Sequence, residues 1–141
     1  MGALRDIRNQ LKPEIALEPQ DITTNTTTVG EIIDTKDYDG GIMFTMLINH
    51  TSGTFTPLLQ EGDESDLSDA AAVDDANLIG DTKTGQEADA ALTSAQLISS
   101  LGVVNNTKRY LRLSIVSTGI SGSNYVAATV HKYAEIMPIT N

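Results

Sequence analysis

The sequence contains no cysteine, no tryptophan and only two histidines among its 141 residues. Without cysteine, the chain has no disulfides, no thiolate metal sites and no cysteine nucleophile. His50 is predicted to lie in a hairpin loop and His131 on the outer face of a strand, so both are interpreted as surface residues rather than general bases. Nucleotide-binding glycine loops, Gly-x-Ser-x-Gly turns and His-Glu-x-x-His motifs are absent as well. The sequence therefore predicts a protein that is not an enzyme and binds no cofactor.

Long apolar runs are also missing. No window approaches the ~20 apolar residues that a membrane-crossing helix needs. Residues 1–12 alternate charged and apolar side chains, where a signal peptide would be continuously apolar. We therefore expect no membrane partner and a protein that is made in the cytoplasm without being exported.

The charges are unevenly distributed, and the net charge at pH 7 is −10. Residues 1–12 carry three bases and one acid, and residues 108–141 carry four bases and one acid. Residues 13–107, in contrast, carry seventeen acids and two lysines. An acidic surface repels phosphate backbones, so no nucleic acid is expected as a partner. The basic ends are expected to meet an acidic partner or to close onto the acidic middle of the same chain.

Most of the chain consists of short segments that alternate apolar and polar residues, separated by clusters of glycine, asparagine, aspartate and threonine. This spacing predicts an all-β fold, an antiparallel β-sandwich or barrel. One candidate strand, residues 42–48, is apolar at both alternating sets of positions and is therefore expected to be covered on both faces. The other candidate strands are residues 15–19, 29–33, 54–59, 76–80, 108–117 and 125–136.

One segment favours a short helix instead. Thr93 and Gln96 fit a capping box, apolar residues recur through Ser94–Leu101, and Gly102 lies where a C-terminal cap glycine would lie. The sequence therefore predicts a helix over residues 94–101 that packs on the sandwich.

The N-terminus is predicted to be an arm over residues 1–13, ahead of a single domain over residues 14–141. If the arm is helical, it has an apolar stripe opposite two arginines. Two interpretations stay open: the arm docks on its own sandwich, or it reaches a neighbouring subunit. In the second case the partner-binding residues are Leu4, Arg5, Ile7, Arg8 and Leu11.

A cluster of acidic residues lies between residues 61 and 69. Calcium takes six to eight oxygen ligands, which such a loop supplies in part. The spacing does not fit an EF-hand, however, and dense like charge in a loop is usually solvated. The prediction is therefore that no metal binds, and the weak candidates for ligands are Asp63, Glu64, Asp66 and Asp69.

Several segments resemble the cement, or decoration, proteins of tailed-phage heads. They are Pro19–Thr24, Ile33–Thr35, Thr54–Leu58, Asp66–Val73 and Lys108–Thr118, and their order and spacing carry the resemblance. The resemblance spans residues 15–136 and leaves out the N-terminal arm.

The resemblance implies a jelly-roll-like β-sandwich that binds the outer surface of a phage head. It further implies the major capsid protein as a partner, self-association as a homodimer or homotrimer, and a location on the virion surface after synthesis in the host cytoplasm. The alternative function is another virion module, either a head–tail completion component or a receptor- or carbohydrate-binding β-sandwich. The scarcity of aromatic side chains counts against sugar binding.

Overall fold

The computed structural model describes residues 10–38, 40–80, 98–103 and 108–134. These residues form two antiparallel sheets and one turn of 3-10 helix over Asp75–Asn77. The strands are β1 (Leu11–Asp21), β2 (Thr26–Thr28), β3 (Ile32–Asp34), β4 (Gly41–His50), β5 (Thr54–Gly62), β6 (Ala71–Ala72), β7 (Leu78–Gly80), β8 (Ile98–Val103), β9 (Tyr110–Thr118) and β10 (Asn124–Tyr133).

Sheet A has the strand order β1-β10-β4-β8-β7, and sheet B has the order β2-β9-β5-β6, with β3 also paired to β9. β2 and β3 both pair with β9 and count as one interrupted strand, and β7 is an addition at the edge of sheet A. The remaining strands then pair in nested order: β1 with β10, β2 and β3 with β9, β4 with β8, and β5 with β6. This nested pairing is the jelly-roll arrangement. The predicted jelly-roll-like β-sandwich is therefore confirmed.

The hydrophobic core lies between the two sheets, because the long strands alternate buried and more exposed side chains. Phe44 from sheet A and Phe55 from sheet B are both fully buried in it. Leu111, Leu113 and Ile115 of β9 line the same interior, as their alternation in the sequence predicted. Each such side chain contributes roughly 1.5–3 kcal/mol when fully buried, so the core supplies the stability that the chain cannot draw from disulfides.

One end of the interior is polar. Lys132 of β10 is only 4% exposed, and its Nζ lies 2.8 Å from a carboxylate oxygen of Glu14. The same ammonium donates to the backbone oxygen of Asp34 at 3.0 Å and lies 4.4 Å from the ring centroid of Tyr38. The buried charge is thus paired and hydrogen-bonded, which a buried ammonium requires.

The helix predicted over residues 94–101 is wrong from residue 98 onward. Ile98–Val103 forms β8, which pairs with β4 on one side and with β7 on the other. The remainder of that predicted helix lies outside the described residues. Short apolar segments fit a helix and a strand equally well in sequence, and here pairing with two neighbouring strands outweighs the capping signals.

The N-terminal arm predicted over residues 1–13 overlaps with β1 at its end. Leu11, the last residue of the predicted apolar stripe, opens this strand opposite Tyr133. The other four predicted partner-binding residues, Leu4, Arg5, Ile7 and Arg8, lie outside the described part of the chain.

A bidentate ion pair fastens the start of β9 to the end of β3. Arg109 donates from Nε and Nη2 to the two carboxylate oxygens of Asp34, at 2.9 and 2.7 Å. The hydrogen bond from Arg109 lowers the pKa of Asp34 from its usual 3.8 to about 2. A lowered folded-state pKa means that the pair stabilises the fold above pH 3.8 and loses that contribution as the pH falls towards 2.

Replacing Asp34 with asparagine is therefore expected to destabilise the protein at pH 6 and to matter less as the pH approaches 2. Both side chains are nearly half exposed, so solvent screening limits the effect to about 1 kcal/mol or less. Urea unfolding of both proteins between pH 6 and pH 2 measures it. Glu31→Gln, which neutralises an exposed acid directly before β3, is the control. A difference between wild type and Asp34→Asn that stays constant over this range would contradict the assignment.

Candidate interaction surface

The outer face of sheet A is set by the alternation of β4 and β10, the two strands at its centre. In β10 the side chains from Val126 to Val130 at every second position point into the core, and those between them point outward. β4 follows the same rule, because Leu47 pairs with Ala127 and Met43 pairs with His131. The outward positions of both strands therefore form one continuous surface.

The outward positions of β4 and β10 carry no charged side chain, and Asp21 of β1 lies beside Tyr125 at one end of the surface. Four large apolar side chains on it keep much of their area exposed: Met43 44%, Leu47 45%, Tyr125 55% and, on the edge strand β7, Ile79 62%. Ile15 of β1 adds a fifth at 54%. The other outward residues of β4 and β10 are Gly41, Thr45, Asn49, Ala127, Thr129, His131 and Tyr133.

The expectation that residues 42–48 are covered on both faces is met on one face only. The inward residues Phe44 and Met46 are fully buried, whereas the outward residues Met43 and Leu47 are exposed. Among the residues that the structure describes, nothing is packed over them. An exposed apolar patch of this extent on a chain with 28 charged residues indicates an interaction surface.

The outer face of sheet B differs in character. Its outward positions on β5 are Thr54, Thr56, Leu58 and Gln60, and they lie beside Thr118, Val116, Ser114 and Arg112 of β9. Arg112 donates to the amide oxygen of Gln60 at 3.0 Å across the two strands. This face is therefore mostly polar, as a solvent-facing sheet is.

A shallow groove of about 710 Å³ crosses one end of the outer face of sheet A. Leu47, Tyr125 and Ala127 form its floor, and β1 contributes Pro19 and Asp21 at its side. The groove exists because β1 shifts register between Leu17 and Gln20, which bends the strand at this point. A smaller depression of about 310 Å³ lies at the other end, next to Met43 and Tyr133.

The edges of sheet A are poorly suited to strand addition. β7 has only three residues, and β1 contains Pro13, Pro19 and two register shifts. Short edge strands, prolines and bulges all prevent another strand from pairing there. The described edges of sheet A therefore offer no long, regular strand for such pairing.

The acidic loop uses its carboxylates to hold its own backbone. Asp69 accepts from the backbone N–H groups of Asp63 and Glu64 at 2.8 and 3.2 Å, which lowers the pKa of its carboxyl group. Asp66 accepts from the N–H of Ser68 at 3.0 Å, with the same effect on its pKa. Lys108 forms an ion pair with Asp63 and has a raised pKa as a result.

Three or more metal-ligating side chains do not converge at any point in the described ranges, the acidic loop included. The loop holds all four candidate ligands, Asp63, Glu64, Asp66 and Asp69, but Asp66 and Asp69 accept from its own backbone N–H groups. Leu67 of the same loop is buried at 5% exposure. No helix long and apolar enough for a membrane span occurs within the described residues.

His131 lies on the outer face of sheet A, as its place in the strand pattern predicted. It is partly buried between Pro13 of β1 and Met43 of β4, and its Nδ1 is buried without a hydrogen-bond partner. His131 therefore belongs to the interaction surface as a partly apolar ring.

Sequence reasoning missed Asn124, the residue that holds the loops beside the groove. Its side chain is fully buried, accepts from the N–H groups of Thr51 and Ser52, and donates to the backbone oxygen of Ile22 at 3.0 Å. Its backbone N–H donates to Asp21 at 2.8 Å, at the side of the groove. No pattern in the sequence marks this residue, because its partners lie about 70 and 100 positions away.

No family model and no curated protein matches the chain. Among solved structures, the chain is similar to the SPBc2 prophage-derived protein YomS, with a TM-score of 0.45 and 12% sequence identity over 86% of this chain and 93% of that one.

Proposed function

We propose that this protein is a cement protein of a phage head, a non-enzymatic virion component that binds the major capsid protein on the outer surface of the shell and stabilises it. The observation that carries the proposal is the outer face of sheet A, where the outward positions of β4 and β10 are uncharged and expose large apolar side chains on an otherwise acidic chain. A soluble protein has no use for such a face unless it works in an assembly. The resemblance of residues 15–136 to cement proteins suggests which assembly.

The charge distribution supports assembly in many copies. A net charge of −10 keeps free copies soluble and apart before they reach the shell. Once they are arrayed on a shell, contacts that are weak individually act together and resist expansion of the head.

The N-terminal arm is the segment that we assign to the head. Its residues Arg5 and Arg8 give it positive charge in a chain that is acidic overall, and Leu4 and Ile7 add apolar contacts. A basic segment in a chain that is acidic overall can bind an acidic patch on the capsid protein that would repel the rest of the chain.

Co-sedimentation with heads that lack the protein tests this function. We expect the number of wild-type copies retained per head at saturation to be a fixed multiple set by the icosahedral symmetry. We also expect bound protein to raise the temperature at which the heads rupture. Failure to pellet with heads would refute the proposal. Retention of a few copies at one vertex would also refute it and would indicate a head–tail completion component.

The arm is tested in the same assay by the double variant Arg5→Glu, Arg8→Glu. Reversing two contact charges is expected to weaken retention about tenfold, or roughly 1.4 kcal/mol. Lys36→Glu, Lys83→Glu is the matched control, since it changes the net charge equally but in the acidic middle of the chain. Equal loss of retention in both double variants would show that net charge, and not the arm, governs binding.

A further inference from the structure

The outer face of sheet A leaves open which molecule covers it. We propose that a second copy of this chain does so, and that two copies pair face to face about a twofold axis that lies in the interface, parallel to the sheet, and crosses β4 and β10 over Thr45 and Thr129. This pairing rests on the proposed assembly role of the protein, but it does not require head binding.

The size of the face suits a dimer. β4 and β10 have ten residues each, which gives a length of about 33 Å, and four neighbouring strands give a width of about 19 Å. The flat area of the face is therefore about 600 Å², and the uneven surface of the side chains adds to it. This area approaches the roughly 800 Å² per partner of a standard stable interface. Two sheets packed in this way bury a layer like the interior of a β-sandwich.

The distribution of charge favours this face over the rest of the surface as the contact between two copies. The net charge is −10, so most contacts between copies would bring acidic side chains together. The described outward positions of β4 and β10 contain no acid or base, and Asp21 of β1 lies beside Tyr125 at the end of the face. Twofold pairing through this face therefore places apolar side chains against apolar side chains and keeps the acids at the rim.

The central residues make a twofold arrangement possible. Thr45 and Thr129 pair with each other in the middle of the face, and both are small. The bulkier Tyr125 and Met43 lie towards opposite ends, next to the two depressions. A twofold rotation about the centre thus places small residues at the axis and leaves the large exposed side chains room on either side.

Light scattering or analytical ultracentrifugation gives the decisive measurement. We expect a mass twice the 15.0 kDa of the chain at micromolar concentration. Leu47→Glu is expected to raise the dimer dissociation constant at least about a hundredfold, since it buries two like charges in an apolar interface. Leu58→Glu, the matched change on the outer face of sheet B, is expected to leave it within about threefold. Circular dichroism checks that both variants are folded.

Cross-linking locates the axis independently of these variants. The chain has no cysteine, so Thr45→Cys introduces a single thiol, and a short bismaleimide is expected to join two copies. Thr56→Cys, at an outward position of sheet B, is expected to remain unlinked at the same concentration. A monomeric or trimeric mass, or a dimer that Leu58→Glu dissociates and Leu47→Glu does not, would overturn the pairing. A wild-type protein that is monomeric but is retained normally by heads would refute the pairing alone, and a wild-type dimer that heads do not retain would refute only the head function.

Discussion

Gly30→Ala is expected to destabilise the fold by at least about 3 kcal/mol and to leave much of the protein unfolded or aggregated at 37 °C. Gly30 lies where the connection between β2 and β3 passes between the two sheets. A Cβ atom at this position would overlap with the backbone oxygens of Leu113 in sheet B and Ala16 in sheet A. Both oxygens belong to the backbone of paired strands, so neither can move without its strand. The oxygen of Ala16 also accepts from the N–H of the next residue, Glu31, at 2.8 Å.

Equilibrium unfolding in urea, followed by circular dichroism, measures this effect. Val29→Ala is the control, since it changes the neighbouring residue, whose side chain is 59% exposed. It is expected to change the free energy of unfolding by less than about 0.5 kcal/mol. If Gly30→Ala were as stable as Val29→Ala, the close approach of the two sheets at Gly30 would be wrong.

Asn124→Ala is expected to cost about 2–4 kcal/mol of stability, because it removes a fully buried amide that joins three loops. The substitution leaves the N–H groups of Thr51 and Ser52 and the oxygen of Ile22 without their partner. Buried polar groups that lose their hydrogen bonds pay the full desolvation penalty, so the loss exceeds that of an exposed bond.

Asn25→Ala provides the comparison for Asn124→Ala. The side chain of Asn25 is exposed and accepts one hydrogen bond, from the N–H of Ile120 at 2.9 Å. Its loss is expected to cost less than about 1 kcal/mol in the same urea titration, because water replaces the missing partner. Similar costs for the two variants would mean that Asn124 does not hold the loops together.

The sandwich itself could be predicted from the sequence because its strands are half-buried. In β9 and β10 apolar and polar residues alternate with period two, and that period is visible in a single sequence. β8 could not be recognised in this way. Its few residues fit a helix as well as a strand, and the choice is made by β4 and β7, which are distant in sequence.

The interaction surface was visible in the sequence only in part. Apolar residues on both faces of β4 were evident, but their meaning depends on whether another element packs over Met43 and Leu47. The pattern in β10 is weaker still, since its outward residues include Thr129 and His131. Only the strand order shows that these residues join those of β4 in one face. Local patterns give burial tendencies, whereas the assembly of a surface depends on topology.

The position of β10 has a consequence for how the chain folds. It is the last of the described strands in chain order, yet it lies between β1 and β4 in sheet A and pairs with both. Until it leaves the ribosome, these two strands have unpaired edges, and their contacts with it span up to about 120 residues of chain. Such contacts close slowly, and open edges in a partly made chain favour aggregation. Sheet A is therefore completed only after Asn124–Tyr133 has been translated, so removal of β10 would leave unpaired edges on β1 and β4 rather than a smaller sandwich.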